Sequence, residues 1–136
     1  MFQGMTCSPV TPVEVARALI GTKFRLHGRD ADHGVDCVGL IAIVFGWQAS
    51  APVGYSLRGG SAPQWVNRLD DLAIRRTGPS CEGDILLLRA GSMQYHLGIW
   101  SGSGLIHADA GVRRVVETPG ALRWPILGSW FKSQES

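Results

Sequence analysis

The chain has no long apolar run. Its longest, from Val38 to Trp47, is about half of the roughly 20 residues a membrane-spanning helix needs, and Gly39 and Gly46 interrupt it. No membrane span is therefore expected. Excess charge of one sign is missing too: 13 Lys plus Arg against 11 Asp plus Glu leave a formal net charge of +2, with no basic block longer than Arg75-Arg76 or Arg113-Arg114. That balance supplies no electrostatic footprint for nucleic acid or for an anionic membrane surface. The first residues, Met1 to Met5, have neither a basic n-region nor an apolar h-region, so no secretory signal is read and any export is expected to use another route. Cysteine is scarce: Cys7, Cys37 and Cys81 are too few and too scattered for a disulfide framework, no Cys-x-x-Cys pair exists, and an odd count leaves at least one thiol free. Cys7, in a Ser/Thr/Pro-rich lead-in, and Cys81, in the turn-rich stretch from Gly78 to Gly83, read as ordinary structural or reactive thiols.

What is present fits one globular domain over residues 1–136: 45% of the chain is hydrophobic, enough for one core and too little for two. Thr11-Pro12-Val13-Glu14 predicts a helix start, with Thr11 as N-cap, Pro12 in the first turn and Glu14 closing a capping box; the helix is expected to stop at Gly21. Thr22 to Arg29 reads as extended, followed by a loop through His33-Gly34. The segment Val35 to Phe45 is apolar on nearly every side after Asp36, the pattern of a buried central helix, with Asp36 as its N-cap and Cys37 as its first residue. Ala49 to Gly60 reads as a loop. Ser61-Ala62-Pro63 starts an amphipathic helix whose apolar residues Trp65, Val66, Leu69, Leu72 and Ala73 predict an end near Thr77-Gly78. Strands are predicted at 84–89, 95–100, 104–108, 113–117 and 126–131, joined as antiparallel hairpins by glycine-bearing links such as Ser101-Gly102-Ser103-Gly104. Helices first and strands second give an α+β domain with N-terminal helices packed on an antiparallel β-sheet. Most of the five tryptophans are expected in its core.

Cys37 is the thiol that chemistry singles out. At the first turn of a helix its sulfur meets unpaired backbone N–H groups and the positive end of the helix dipole, and both favour thiolate over thiol. An attacking thiolate needs an imidazole brought by another element. His96 shares a strand face with Gly98 and Trp100, and His107 ends the next strand about one hairpin away, so the two rings are expected side by side, His107 fixing the tautomer of His96. His27 and His33 read as solvated or rim residues. The residues alone leave other readings open: a core cysteine with a satisfied strand histidine, or a zinc site of Cys37 with two histidines, for which no closely spaced ligand pair exists.

The strings Gly21-Thr22-Lys23-Phe24, Asp36-Cys37-Val38-Gly39-Leu40, Gly83-Asp84-Ile85-Leu86-Leu87, His96-Leu97-Gly98-Ile99-Trp100 and Leu105-Ile106-His107-Ala108 occur in an order that resembles the NlpC/p60 family of cell-wall cysteine peptidases, over most of the chain. The resemblance implies a papain-like α+β fold, Cys37 as nucleophile, His96 as general base, His107 as the residue that orients it, no cofactor and no metal. It implies peptidoglycan stem peptides as substrates, typically cut between D-glutamate and a diamino acid. The substrate-binding positions would be Asp36, Phe24 or Arg25, and Val38. Many family members have Tyr where Phe24 stands (or Arg25, allowing a one-residue gap), and Ser where Val38 stands, so two polar groups that touch substrate are absent. Asp36 is expected to cap the helix, to bind a substrate ammonium, or both. The Trp-containing segment from Trp124 to Phe131 is similar to the small phage-type branch. That branch implies tail or tail-like particle proteins as partners, synthesis in a bacterial cytoplasm and incorporation in the particle. The alternatives are a non-catalytic tail or wall-binding protein that keeps the fold, and an amidase or deamidase acting on another amide.

Overall fold

The computed structural model describes residues 11–47, 61–92 and 94–132. Three helices, α1 (Thr11–Ala18), α2 (Cys37–Phe45) and α3 (Ala62–Leu72), accompany eight strands: β1 (Arg29–Asp30), β2 (Gly34–Val35), β3 (Ile74–Arg75), β4 (Ile85–Gly91), β5 (Gln94–Trp100), β6 (Gly104–Asp109), β7 (Arg114–Pro119) and β8 (Ile126–Phe131). Six strands form one antiparallel sheet in the order β3-β8-β4-β5-β6-β7, while β1 and β2 make a separate two-stranded hairpin.

The central helix starts and stops where its sequence directs. Asp36 takes an extended conformation and its side chain accepts the amide of Gly39, so α2 begins at Cys37; Gly46, at φ 74°, ends it in the left-handed region that glycine enters without strain. Between these caps Leu40, Ile41, Ala42 and Phe45 are buried. They share the main core with Val13 and Ala16 of α1, Trp65 and Leu69 of α3, and the sheet residues Tyr95, Leu97, Ile99, Ile106 and Val115. The opposite sheet face carries a smaller cluster of Leu86, Leu88 and Leu105, packed against Trp100, Leu122 and Trp124. The period-2 alternation of the strands thus divides the apolar residues between two faces.

Four expectations are corrected. First, α3 stops at Leu72, not near Thr77: Ala73 is extended, and Ile74–Arg75 pairs with Phe131 and Trp130 of β8. Asp70 fastens this corner, accepting from Arg75 and from the indole of Trp130 at 2.8 Å. Second, the stretch after Arg29, expected as a loop, forms the β1–β2 hairpin, while the extended reading of Thr22 to Arg29 holds at Lys23 and Phe24. Lys23 bridges Arg114, Phe24 bridges Val35, and β1 pairs with β2, which ties the approach to α2 onto the sheet edge. Third, α1 begins at Thr11 itself; the capping role expected of the Thr11 side chain lies outside the described residues, as does the loop expected from Ala49 to Gly60. Fourth, Cys81 is disulfide-bonded, to a partner outside the described residues, and Cys37 is a free thiol. Among the tryptophans, Trp65 and Trp130 are buried and Trp47, Trp100 and Trp124 are partly buried.

Two glycines, Gly39 and Gly28, owe their place to close packing. A side-chain carbon on Gly39 would collide with the carbonyl oxygen of Gly28, and one on Gly28 would collide with that of Gly34. The Gly28 loop therefore lies directly on the first turn of α2. Gly39→Ala is expected to cost about 3 kcal/mol, the upper range for overpacking, because backbone and not a flexible side chain must move. Urea denaturation checks this; a midpoint equal to wild type would show that the loop yields freely.

Candidate active site

The site gathers where β5 and β6 part. Their ladder contains Ile99 opposite Ile106 and Trp100 opposite Leu105, and it does not extend to His96. Alternation puts His96 on the same face as Gly98 and Trp100, and His107 on the same face as Leu105. The rings meet edge to face, with His96 Nε2 and His107 Nδ1 2.8 Å apart. The side-by-side arrangement expected from the hairpin is therefore present. Gly98 lies in the sheet at the mouth of the gap: a side-chain carbon there would sit 2.6 Å from Leu105 Cδ1, so a larger residue would have to displace the Leu105 side chain.

Cys37 stands at the first position of α2, with no solvent exposure. The backbone amides of Leu97, the residue directly after His96, and of Val38 at the helix start favour its thiolate. The helix start thus delivers the thiol to the strand that carries His96. The charge state differs from the sequence expectation. Burial, reinforced by the neighbouring Asp36 carboxylate, pushes the Cys37 thiol up to about 12, against the amides that favour the thiolate. Burial also pushes His96 down to about 4, with His107 adding to the shift and Asp109 opposing it. Burial lowers His107 as well; Asp109 opposes and Arg123 assists. At neutral pH the resting site holds a neutral thiol and two neutral imidazoles. The helix dipole is present, but desolvation outweighs it.

Two outcomes follow from these charge states. In folded protein at pH 7, iodoacetamide should alkylate Cys37 more slowly than it alkylates a short cysteine peptide; a rapid burst on Cys37, read by peptide mass spectrometry, would refute the buried neutral thiol. The histidines also link stability to acidity. Unfolded, they bind protons below about 6.5; folded, His96 resists protonation until about 4. Between these values the unfolded state holds more protons, so stability is lost as pH falls through this window and levels off below it. Urea midpoints between pH 7 and pH 4 should drop, and His96→Gln should flatten the drop.

Asp36 is fully buried, and both carboxylate oxygens are occupied: Oδ1 accepts the Gly39 amide at 2.8 Å and Arg29 at 3.2 Å, and Oδ2 accepts the His27 amide at 2.8 Å. Its observed role is the cap and the clasp on the 27–29 loop. Phe24 is partly buried against the main core, and Arg25 is exposed. Val38, 6% exposed, lines a small apolar cavity with Trp65, Leu69 and Leu97. His27 and His33 are exposed and stand apart from the His96–His107 pair, His33 being held by Asp30 at 2.8 Å. Among the described residues, no group of three or more His, Cys, Asp or Glu side chains is clustered as metal ligands would be.

No protein-family model matches the chain, and no curated protein matches it. Solved structures do. The NlpC/p60 domain of the peptidoglycan hydrolase SagA superposes with a TM-score of 0.55 at 26% identity, over 83% of this chain and 90% of that one. This is the NlpC/p60 fold. NlpC1 from Trichomonas vaginalis matches with a TM-score of 0.61 at 20% identity, over 89% of this chain and 44% of that one. The peptidoglycan hydrolase RipB from Mycobacterium tuberculosis matches with a TM-score of 0.57 at 16% identity, over 89% of this chain and 62% of that one. The chain thus spans nearly all of the SagA domain but less than two thirds of the other two proteins.

On this NlpC/p60 scaffold two site residues escaped the sequence reading. Thr118 of β7 places its hydroxyl 3.1 Å from His107 Nε2. Trp124, noted in the sequence only as part of a C-terminal segment, lies edge-on to both rings, 5.3 Å from His96 and 6.0 Å from His107 between centroids. Thr118 lies one residue beyond the strand expected over 113–117; β7 extends to Pro119, and its register with β6, Leu105 opposite Thr118, turns Thr118 toward His107.

Proposed function

We propose that the chain is a cysteine peptidase that hydrolyses an amide bond in peptidoglycan stem peptides. The observation that carries this reading is the His96–His107 pair at 2.8 Å on the strands against which α2 packs, the helix that begins at the free thiol Cys37. It occurs in a fold shared with SagA, which is a peptidoglycan hydrolase. In the proposed mechanism His96 takes the Cys37 proton as the sulfur attacks the scissile carbonyl, since the resting thiol is neutral. Backbone N–H groups at the start of α2 face the developing oxyanion. His96 then gives its proton to the leaving amine and activates water to release the acyl group, while His107 orients it. The narrower reading, a hydrolase borne on a phage tail or tail-like particle, rests on the sequence similarity of the Trp124–Phe131 segment.

The experiment is product analysis by mass spectrometry after incubating soluble peptidoglycan fragments with wild type and with Cys37→Ala under reducing conditions. A new fragment made by wild type alone identifies the bond. Products identical with both proteins would refute the reading. One observation favours a non-catalytic, wall-binding role instead: the complete burial of the Cys37 thiol. Binding of the same fragments without turnover would support that role, and ammonia release without chain cleavage would mark a deamidase.

A further inference from the structure

His107 is 2% exposed, and both its ring nitrogens are engaged: Nδ1 with His96 Nε2 at 2.8 Å, and Nε2 with Thr118 Oγ1 at 3.1 Å. Thr118 sits opposite Leu105 and diagonal to His107, because β6 and β7 pair continuously from Gly104 opposite Pro119 to Asp109 opposite Arg114. The relay from His96 through His107 to Thr118 therefore crosses three adjacent strands.

While both rings are neutral, protons in this relay have two self-consistent arrangements. A neutral imidazole carries one N–H, and a hydroxyl both donates and accepts. In one arrangement Thr118 donates to His107, His107 donates to His96, and His96 carries its proton on Nδ1. In the other, the direction is reversed and Nδ1 is free to act as a base. The degeneracy ends when His96 is protonated. Both its nitrogens then carry hydrogen, so Nε2–H must donate to His107 Nδ1. His107 must hold its own proton on Nε2, and the acceptor within reach of that proton is Thr118 Oγ1.

We propose that Thr118 is a positioning residue: its hydroxyl accepts from His107 Nε2–H and so stabilises the His96 imidazolium that forms when Cys37 gives up its proton. This rests on the reading of His96 as the general base. Its weight falls on the charged state, so it lowers the barrier without tightening the resting complex. The charged groups that act on the pair are Asp109 on β6, which favours protonation, and Arg123 from the connection between β7 and β8, which opposes it. Trp124 covers both rings edge-on.

The test needs no substrate. The full chain, labelled with 15N-histidine, is titrated by NMR as wild type, Thr118→Val and Thr118→Ser. The valine keeps the β-branched shape and removes the acceptor. Losing the hydrogen bond by which His107 is held as acceptor for the charged His96 should move the acid transition of the pair down by about one pH unit, a tenfold change in protonation. Serine should restore it. In hydrolysis assays kcat should fall about tenfold in Thr118→Val with KM little changed, and recover in Thr118→Ser. Should the valine variant fail to fold, Thr118→Ala supplies the same comparison. An acid transition and 15N shifts unchanged from wild type would overturn the proposal. Hydrolysis persisting in Cys37→Ala would instead overturn the peptidase reading, so the two failures are distinguishable.

Discussion

His96→Ala is expected to lose about four orders of magnitude in kcat/KM against stem-peptide fragments, with the fold retained. The size follows from what the imidazole does. With the Cys37 thiol pushed up to about 12, almost no thiolate exists at neutral pH without a base to take the proton. General-base transfer alone is worth about 10²–10⁴, and the same ring must later protonate the leaving amine. His107→Ala should be milder, about a hundredfold, because water entering the vacated space can accept the Nε2–H of His96. Steady-state kinetics on both variants and on the double variant decides the point. If each single loss equals the double loss, the two rings work as one unit. A His96→Ala enzyme within tenfold of wild type would remove His96 from the mechanism.

Asp36→Ala is expected to destabilise the fold by about 3–5 kcal/mol, the range for breaking a buried ion pair from one side. The carboxylate joins three otherwise separate pieces: the Gly39 amide in the first turn of α2, the His27 amide and the Arg29 guanidinium. Removing it leaves buried donors unsatisfied and Arg29 short of its counter-charge. Since small domains are stable by only about 5–15 kcal/mol, much of the margin would go. Removing the carboxylate also removes a charge that holds the Cys37 thiol up. The surviving folded fraction should therefore alkylate at lower pH than wild type. Urea unfolding together with pH-dependent alkylation reads both effects. Unchanged stability with a raised KM would assign Asp36 to a substrate ammonium.

Much of this site was legible in the chain because its residues sit on periodic elements. Asp36 before an apolar run fixed both the helix start and the placement of Cys37. The alternation in β5 fixed the face of His96, and a short hairpin set His107 beside it. Thr118 was not legible, since its relation to His107 depends on strand register, which local pattern does not specify. The placement of β8 between β3 and β4 joins segments far apart in sequence and was likewise hidden. The early end of α3 reflects tertiary override: Trp130 and Arg75 hold Asp70, and Ile74 is drawn into the sheet. The charge of Cys37 departs from the sequence expectation for a related reason. A helix dipole can be read from a sequence; complete burial of the sulfur cannot, and burial outweighs the dipole.

The most direct test of Cys37 as nucleophile is intact-protein mass spectrometry of an acid-quenched reaction with an ester analogue of a stem peptide, for which acylation outruns release. The expected result is a mass increment equal to the acyl fragment, mapped by digestion to Cys37 and absent in Cys37→Ala. An increment on any other residue, or product accumulating while the enzyme stays unmodified, would contradict the thiol mechanism.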